Sequence, residues 1–538
     1  MNTNKNIAKS FQMLANLMEL HEMNSFKIKS YANAYLSLRK VDITFASMDQ
    51  AELSSLPGVG KSIVEKINEM VSTGKMAELE DLKAITPPGV IEILNVKGLG
   101  PKKVGVIWKE LKLESVGELL LACQENRLVK AKGFGLKTQE DIIKKLQYHI
   151  DSSGKYLYAN IEELALEALD LLKTNFPDNP SSLCGEIRRK MPEVRGIELI
   201  TTAAESSVKN LFPMDAEAEQ NSLFYKDVPL FIHFSKEENF GNELFLNSAS
   251  KEFINAVTNL GTIPSMQEEN QVFSHFNAEF VSPEFRESAD TWQMACNHTL
   301  PSLIELEDII GMVHCHTQYS DGIHTLEQMA METMNLGFKY MVVTDHSRSA
   351  FYAGGLSIER VEMQWREIEN LNKKFGEFKI YKGIESDILG DGSLDYPDEI
   401  LNGFDVVIAS VHSNLNMDVD KATNRLICAI ENPHTTILGH PTGRLLLSRS
   451  GYPLHYQKII DACAVNKVAI ELNANPQRLD IDYVWLKKCM EKNVKISINP
   501  DAHSTSQIKY VKFGLIAARK GGLIKEFCWN ATLPPLKK

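Results

Sequence analysis

The N-terminal third of the chain has a helical pattern of apolar residues. Between Ile7 and Met18 they recur at steps of three and four, and a similar pattern continues from Phe26 to Tyr35. This spacing places the apolar side chains on one face of each segment. The pattern predicts a bundle of amphipathic helices.

Short turns with two glycines interrupt this helical region three times. They are Leu56-Pro57-Gly58-Val59-Gly60-Lys61, Val96-Lys97-Gly98-Leu99-Gly100-Pro101-Lys102-Lys103 and, more loosely, Lys132-Gly133-Phe134-Gly135-Leu136-Lys137. Each leads into a helix whose first backbone N–H groups suit a phosphate, and the neighbouring lysines add charge attraction. A single turn of this kind could serve packing alone. Three copies predict binding to a nucleic-acid backbone without sequence readout.

From Leu303 onward, short apolar strands alternate with amphipathic helices. The predicted strands are 340–344, 379–384, 406–411, 436–438, 468–472 and 494–498. Helices are predicted between them, for example at 326–336 and 361–371. This order predicts a parallel sheet that is closed or nearly closed as a barrel, in which chemistry gathers at the strand ends.

Metal-binding residue types follow the predicted strands of this region. They are His314, His316, Asp321, His346, Glu385, His412, His440, Asp501 and His503. Because side chains alternate along a strand, His314 and His316 are expected to face the same way. A structural histidine or a helix-capping aspartate would explain any one of these residues, but not all of them at strand ends.

The mixture of imidazoles and carboxylates favours Zn, Mn or Fe over Mg or Ca. The set is larger than one tetrahedral ion needs, so we expect two to three divalent ions. Clustered ions can polarise a phosphate and generate hydroxide from water at neutral pH. The predicted chemistry is phosphoester hydrolysis.

Composition narrows the class of protein. At 538 residues with 43% hydrophobic and 24% charged residues, the chain is typical of a globular protein with several domains. A net charge of -12 argues against a uniformly basic nucleic-acid-binding surface, although a local basic face is compatible with it. The eight cysteines are scattered without a CxxC pair and are expected to be reduced thiols. No signal peptide or membrane span is predicted, so we expect a cytoplasmic monomer that is nucleoid-associated when bound to DNA.

The segment from Asn4 to Leu146 resembles the N-terminal part of bacterial family X DNA polymerases. The resemblance is carried by the three glycine turns and by Ile85-Thr86-Pro87-Pro88-Gly89. It implies a lyase-like helical domain followed by helix-hairpin-helix elements that track the DNA backbone. Lys29 and Lys40 are candidates for a Schiff-base amine, although exposed helix lysines are more commonly only solvated.

The middle of the chain departs from this family at its palm. The family has a Gly-Ser before two arginines, then two metal-binding aspartates on one strand and a third on a later strand. The matching residues here are Gly185, Glu186, Arg188, Arg189, Gly196, Glu198 and, on a strand predicted over 228–234, Phe231. One carboxylate in place of three argues against Mg in the palm. The comparison implies a palm that keeps its fold and has lost nucleotidyl transfer, followed by a thumb shortened between Leu260 and Phe280.

The C-terminal region resembles the PHP domain, which is fused to the polymerase core in bacterial family X enzymes. All nine strand-end residues match that family's ligand positions. By analogy, His314, His316, Glu385 and Asp501 hold one ion, Asp321, His346 and His503 a second, and His412 and His440 a third that shares Glu385. The segment Glu471-Leu472-Asn473-Ala474-Asn475 also matches without supplying ligands. Arg444 and Arg449 are candidates for a phosphate contact, although loop arginines are more commonly solvated.

The expected fold is therefore multidomain. It comprises a helical domain with helix-hairpin-helix motifs over 1–150, an α+β nucleotidyltransferase-like palm with a shortened thumb over 151–300, and an α/β PHP barrel over 301–538. The expected function is a DNA-repair phosphoesterase that acts on 3′ ends of gapped or nicked duplex as a 3′–5′ exonuclease or end-processing enzyme.

Three alternatives stay open. The first is a gap-filling polymerase that is still active. The second is a small-molecule phosphatase of the histidinol-phosphatase type. The third is a non-catalytic scaffold at DNA ends.

Overall fold

The computed structural model describes residues 4–41, 44–124, 128–131, 133–212 and 223–534. The chain divides into two compact units, the first ending at Ser153 and the second beginning at Gly154. The predicted loop residue Lys132 and the chain ends at 1–3 and 535–538 lie outside the described residues. The proposed three-domain boundaries at 150 and 300 stay predictions.

The first unit is helical, as the spacing of its apolar residues predicts. Its helices are α1 (Asn4–Leu20), α2 (Ser25–Leu38), α3 (Gln50–Ser55), α4 (Lys61–Thr73), α5 (Ala77–Ala84), α6 (Pro88–Asn95), α7 (Pro101–Gly105), α8 (Val116–Gln124) and α9 (Leu136–Ser152). The apolar face of α1, including Phe11 and Leu14, is fully buried in one core with Tyr31 of α2. Burial of these stripes stabilises the bundle, since short helices are marginal by themselves.

The second unit begins with a small mixed sheet and its helices. The elements are β1 (Tyr156–Leu157), α10 (Tyr158–Asn175), β2 (Ser181–Leu183), α11 (Gly185–Arg188), β3 (Glu193–Val194), β4 (Ile197–Thr201), α12 (Glu205–Leu211), β5 (Leu223–Tyr225), β6 (Val228–Phe234), α13 (Phe240–Leu246), α14 (Lys251–Thr258), α15 (Glu269–His275) and α16 (Ala289–Cys296). Four of the strands form a sheet in the order β2-β4-β6-β5, in which β4 and β6 are parallel. An aromatic cluster around Phe245, Phe273 and Trp292 joins helices α13 to α16.

The rest of the second unit is a seven-stranded parallel barrel. Its elements are β7 (Gly311–Cys315), α17 (Leu326–Asn335), β8 (Tyr340–Val343), α18 (Ile358–Phe375), β9 (Lys379–Asp387), α19 (Asp398–Leu401), β10 (Val406–Ser410), α20 (Val419–Ile430), β11 (Ile437–Leu438), α21 (Tyr456–Asn466), β12 (Ala469–Asn473), α22 (Leu486–Glu491), β13 (Ile496–Asn499) and α23 (Val511–Lys520). The strand order follows the chain from β7 to β13. A bridge between Cys315 and Ala502 brings the two edges together, so the barrel is nearly closed. The predicted parallel barrel is confirmed.

One apolar core extends from the small sheet into the barrel. It includes Ile161 and Leu199 on the first side and Met312 and Ile498 on the second. All eight cysteines are free thiols, and six of them are buried. None of the described helices is both long and apolar enough to cross a membrane.

Candidate metal centre

The nine predicted ligands converge at one end of the barrel. Parallel strands bring their carboxyl ends to one rim, and the nine residues lie on the last strand residues or in the turns that follow. Seven have little or no exposed side-chain surface, and the other two, Asp321 and His503, lie at the more open side and are about one-third exposed. The nine side chains therefore form one cluster at this rim, although they are spread over almost two hundred residues of the sequence.

The backbone is irregular where the first ligands leave strand β7. The pairing of β7 with β8 shifts register between Met312 and Cys315, and His314 has φ +63°. A bulge of this kind redirects side chains next to active sites. As expected, both imidazoles face the cluster, with the His314 and His316 ring centroids 5.3 Å apart, while Cys315 packs into the core.

Glu385 lies at the centre of the cluster. One carboxylate oxygen is 3.2 Å from His314 Nε2, 3.1 Å from His412 Nε2 and 3.0 Å from His440 Nε2. The other is 3.0 Å from His346 Nδ1. A single carboxylate therefore touches histidines from both sides of the cluster, which is the geometry of a bridging group.

Two further carboxylates complete the open side. Asp501 Oδ1 lies 3.3 Å from His316 Nε2, and Asp321 Oδ1 lies 3.4 Å from His503 Nε2. Asp321 is also 3.7 Å from both His316 and His346. Four ligand groupings have the spacing that a metal ion requires; they are His316, Asp321, His346 and His503; His314, Glu385 and His440; His314, His316 and Asp501; and His346, Asp387 and His412.

Asp387 belongs to this arrangement although the sequence analysis did not single it out. Its Oδ1 is 2.6 Å from His412 Nδ1, and its Oδ2 accepts a hydrogen bond from the Ser349 hydroxyl at 2.8 Å. The signal was present in the sequence, because Glu385 and Asp387 are two residues apart on one strand and face the same side.

Buried polar groups outside the nine hold the ligands in orientation. Glu471 Oε1 is 2.5 Å from His314 Nδ1, and Glu471 Oε2 accepts the His440 backbone N–H at 2.7 Å. Asn473 donates to both Glu471 and Asp501, at 3.2 and 3.0 Å. Such carboxylate–histidine pairs fix the ring orientation of metal ligands. The match at Glu471-Leu472-Asn473 thus marks the outer layer of the site.

The charge states of the cluster are strongly coupled. Burial would raise the pKa of Glu385, but the imidazoles of His412, His314 and His346 hold it well below its ordinary value. Burial lowers the pKa of His346 to about 4, leaving a neutral imidazole with a free lone pair. His412 is also buried, yet Glu385 and Asp387 raise its pKa to about 10.

Several buried ring nitrogens have no hydrogen-bond partner of normal geometry among the residues that the structure describes. They are His314 Nε2, both nitrogens of His316, His346 Nδ1 and His440 Nδ1. A buried polar atom without a partner costs about 1–3 kcal/mol. Lone pairs on nitrogen next to carboxylates are the donors that Zn, Mn and Fe accept. The residues present therefore fit a multinuclear site of these metals.

The predicted palm positions lie together on the small sheet, but their groups are already paired. Glu198 and Phe231 are direct neighbours on the parallel strands β4 and β6. The Glu198 carboxylate accepts the Glu186 backbone N–H at 2.8 Å. It lies against Gly185, where a Cβ would be 2.0 Å from the carboxylate, so the absence of a side chain at this residue leaves space for it. Phe231 is 46% exposed and offers no ligand atom.

The arginine pair of the palm is bound within the protein. Arg188 makes a bidentate ion pair with Glu269, at 2.6 and 2.7 Å. Arg189 contacts both oxygens of Glu287, at 3.1 and 3.0 Å. The guanidinium groups thus have structural partners inside the unit.

The three glycine turns share one backbone pattern. The first glycine of each, Gly58, Gly98 and Gly133, is left-handed, with φ between +74° and +91°. The second, Gly60, Gly100 and Gly135, is the residue that precedes α4, α7 and α9. The apolar residue between them is buried, whereas Lys61, Lys102, Lys103 and Lys137 are exposed. Each turn is anchored by its core residue and presents backbone N–H groups and lysines to solvent.

The predicted phosphate role of Arg444 does not fit its surroundings. Arg444 pairs with Asp482 and donates to the carbonyl oxygens of Arg478 and Leu479. Arg449 donates to the carbonyl oxygen of Gly443 at 2.8 Å. Arg478, which the sequence analysis passed over, lies 3.4 Å from Asp501 and is the arginine nearest the cluster.

Comparison with known proteins places these features in families. The PHP domain family matches residues 313–475, a helix-hairpin-helix domain matches 2–76, and a SAM-like helix-hairpin-helix tandem matches 90–147. The chain is 31% identical to the DNA polymerase/3′-5′ exonuclease PolX of Bacillus subtilis strain 168, over 96% of this chain and 95% of that protein.

Other relatives match less than half of this chain. A probable phosphatase of Thermoanaerobacter sp. strain X514 is 26% identical over 42% of this chain and 91% of its own length. A probable phosphatase of Caldicellulosiruptor saccharolyticus is 29% identical over 36% of this chain and 80% of its own length.

Proposed function

This chain belongs to the bacterial PolX family, with a C-terminal PHP domain, and from that premise we propose that it hydrolyses phosphodiester bonds at DNA 3′ ends. The observation that carries the proposal is the cluster around Glu385, in which five buried imidazole nitrogens lack hydrogen-bond partners among the described residues. Divalent ions of the Mn, Zn or Fe type, when bound there, would supply Lewis acidity and a hydroxide at neutral pH.

In this proposal, the role of each side chain in the cluster depends on whether it is buried or lies at the open side. His314, Glu385 and His440 form the buried floor, which Glu471 orients. Asp321 and His503 lie at the open side, where a DNA strand and water can enter. Hydrolysis forms a bond from a water oxygen to phosphorus and breaks the bond to the 3′ oxygen of the preceding nucleotide. That oxygen leaves with a proton as a 3′ hydroxyl, and a nucleoside 5′-monophosphate is released.

The glycine turns supply a DNA-backbone contact in the same proposal. Each offers N–H groups at a helix start beside exposed lysines, a combination suited to phosphate and indifferent to base sequence. The small-molecule phosphatase alternative has no use for three such turns. A repair role on gapped or nicked duplex follows from combining backbone contacts with a hydrolytic centre.

We further propose that the palm has lost nucleotidyl transfer. Two metal ions need several carboxylates, but Gly196 and Phe231 supply none and the Glu198 carboxylate is bonded to a backbone N–H. Arg189, which a triphosphate would need, is paired with Glu287. The name of the Bacillus subtilis relative favours the second candidate, a gap-filling polymerase that is still active.

One gel assay separates the two candidates. A 5′-labelled primer in a gapped duplex is incubated with Mn²⁺, with and without deoxynucleotides, using wild type, His440→Ala and Glu198→Ala. We expect wild type and Glu198→Ala to shorten the primer, His440→Ala to leave it intact, and none to extend it. Extension by His440→Ala would show an active palm, and its loss on adding Glu198→Ala would assign the catalytic carboxylate. Shortening that persists in His440→Ala would remove the barrel as the hydrolytic centre.

A further inference from the structure

Two neighbouring aromatic side chains project from the loop above the metal centre. Phe351 is 85% exposed and Tyr352 is 71% exposed, although both belong to residue types that are normally at least half-buried. They lie in the segment 347–356, here called the rim loop, which connects His346 to the start of α18. An exposed aromatic pair beside a catalytic centre indicates a surface that is covered in the bound state.

The rim loop holds this pair in a fixed place. Its ends are bridged between Ser347 and Leu356, and the Leu356 N–H donates to the His346 carbonyl oxygen at 2.8 Å. A Cβ on Gly355 would lie 1.9 Å from the Ser347 carbonyl oxygen, so only glycine allows the two ends of the rim loop to approach this closely.

The base of the loop is tied to the site itself. Ser349 donates through its N–H to Asp395 at 2.6 Å and through its hydroxyl to Asp387 at 2.8 Å. The Ser347 hydroxyl accepts the Asp387 N–H at 2.9 Å. Because the loop is closed and anchored, little ordering cost remains when a ligand binds against its tip.

Tyr352 is the member of the pair that contacts the candidate ligands. The Tyr352 ring centroid is 6.1 Å from that of His346 and 6.5 Å from that of His412. A ligand group that binds against the tip of the rim loop would therefore be separated by one side chain from the phosphate that is being hydrolysed.

On this basis we propose that Phe351 and Tyr352 stack against the base of the 3′-terminal nucleotide and select DNA ends that carry a base. The proposal rests on the function proposed above and names the part of the substrate that the loop recognises. A nucleobase is the planar apolar group that a 3′ end places next to its terminal phosphodiester. Aromatic side chains stack on any base, so this contact adds affinity without sequence preference.

The test compares two single-stranded oligonucleotides that differ only at the 3′ terminus. One ends in an ordinary nucleotide and the other in an abasic tetrahydrofuran residue, and both are 5′-labelled and incubated with full-length protein and Mn²⁺. Single-turnover removal of the terminal residue is measured. Stacking contributes about 5- to 150-fold per base when aromatic residues are replaced by alanine, so we expect wild type to favour the base-bearing end by a factor in this range.

The variant Phe351→Ala/Tyr352→Ala should lose this preference. Its rate on the base-bearing end should fall by the wild-type preference factor, while its rate on the abasic end stays unchanged. Tyr352→Phe keeps the ring and should keep the preference. Val465→Ala, which changes an 80% exposed apolar residue on α21, serves as the matched control and should behave as wild type.

Three results would overturn the inference. They are an equal wild-type rate on both ends, an equal slowing of the double variant on both ends, and a double variant that keeps its preference. The second would assign the pair to the integrity of the metal site. Failure of wild type to degrade either substrate is a different result, since it would reject the proposed DNA hydrolysis itself.

Discussion

The barrel and the palm each gather polar and charged side chains beside parallel strands, yet the two clusters satisfy the bonding capacity of those side chains in opposite ways. At the barrel rim, buried nitrogens of His314, His316, His346 and His440 lack hydrogen-bond partners among the described residues. In the palm, Arg188, Arg189 and Glu198 all have partners supplied by the protein. A site that binds a ligand leaves some of its buried polar atoms without partners from the protein, whereas in a structural cluster the protein supplies those partners.

The largest effect that tests this contrast comes from replacing the central carboxylate of each cluster. Glu385→Gln keeps the shape of the side chain but removes a charge that lies within 3.2 Å of four histidines and 3.6 Å of a fifth. We expect DNA hydrolysis with Mn²⁺ to fall by at least about 10³-fold, which is roughly 4 kcal/mol of transition-state stabilisation. Bound metal, measured by elemental analysis after dialysis, should fall with it.

Glu198→Gln is the matched change in the palm. We expect hydrolysis and metal content to stay at wild-type values, because the Glu198 carboxylate is used for a backbone hydrogen bond. Equal loss of activity in both variants would break the contrast between the clusters.

A smaller effect, on stability, is expected from Glu269→Gln. Glu269 bonds both Arg188 and Arg286, and Arg286 is fully buried. Removing the charge leaves a buried guanidinium without a counter-ion, a change that costs about 3–5 kcal/mol. Urea unfolding followed through the aromatic cluster near Trp292 measures the loss.

The double variant Glu269→Gln/Arg286→Met is the control, because it removes both charges. It should recover much of the stability if the burial of unpaired charge is the cause. A Glu269→Gln protein as stable as wild type would mean that the palm ion pairs contribute little to the fold.

The smallest effect is a pH dependence of stability through Lys520. Its amine is buried and donates to Glu287 at 2.5 Å and to the Arg189 carbonyl oxygen at 3.1 Å. Burial lowers the pKa of Lys520 to about 8, from 10.5 in the unfolded chain. The unfolded state therefore binds more protons between these values, so this residue adds stability as pH rises from about 8 to 10.5.

The contribution of Lys520 is measured as a difference between wild type and Lys520→Met. The difference in the free energy of unfolding should move in favour of wild type by up to about 3 kcal/mol across that window. A pH-independent difference would show that the amine is protonated throughout in the folded state. Lys512→Met, at a half-exposed lysine on the same helix that pairs with Glu162, is a suitable control.

Much of the barrel was predictable because its signals are local. Strand and helix alternate along the chain, and the nine predicted ligands lie at or just after the ends of six strands, so the parallel order alone brings them together. The strand predicted over 228–234 agrees with β6, whereas the pairing of Phe231 with Glu198 was not predicted. Asp387 had a local signal, its spacing of two from Glu385, which was overlooked.

The features of the fold and of the candidate site that could not be predicted depend on contacts between segments that are distant in the sequence. The sequence around Arg189 does not reveal Glu287 or Lys520 as its neighbours, because these residues are separated from it by about 100 and 330 positions. The same reason hides the Glu471–His314 contact. The bulge at His314 and the close approach of the two ends of the rim loop depend on the local backbone at single residues. The pattern of apolar residues gives no information about such local backbone features.

The close packing around Gly196 bears on the history of the palm. A Cβ at this position would lie 2.4 Å from the Pro229 carbonyl oxygen and 2.9 Å from the Phe231 ring. A single back-substitution to aspartate would therefore collide with the neighbouring strand before it could contribute a carboxylate. If nucleotidyl transfer has been lost, as proposed above, regaining a carboxylate at this position requires a second change that moves Pro229 or Phe231 away.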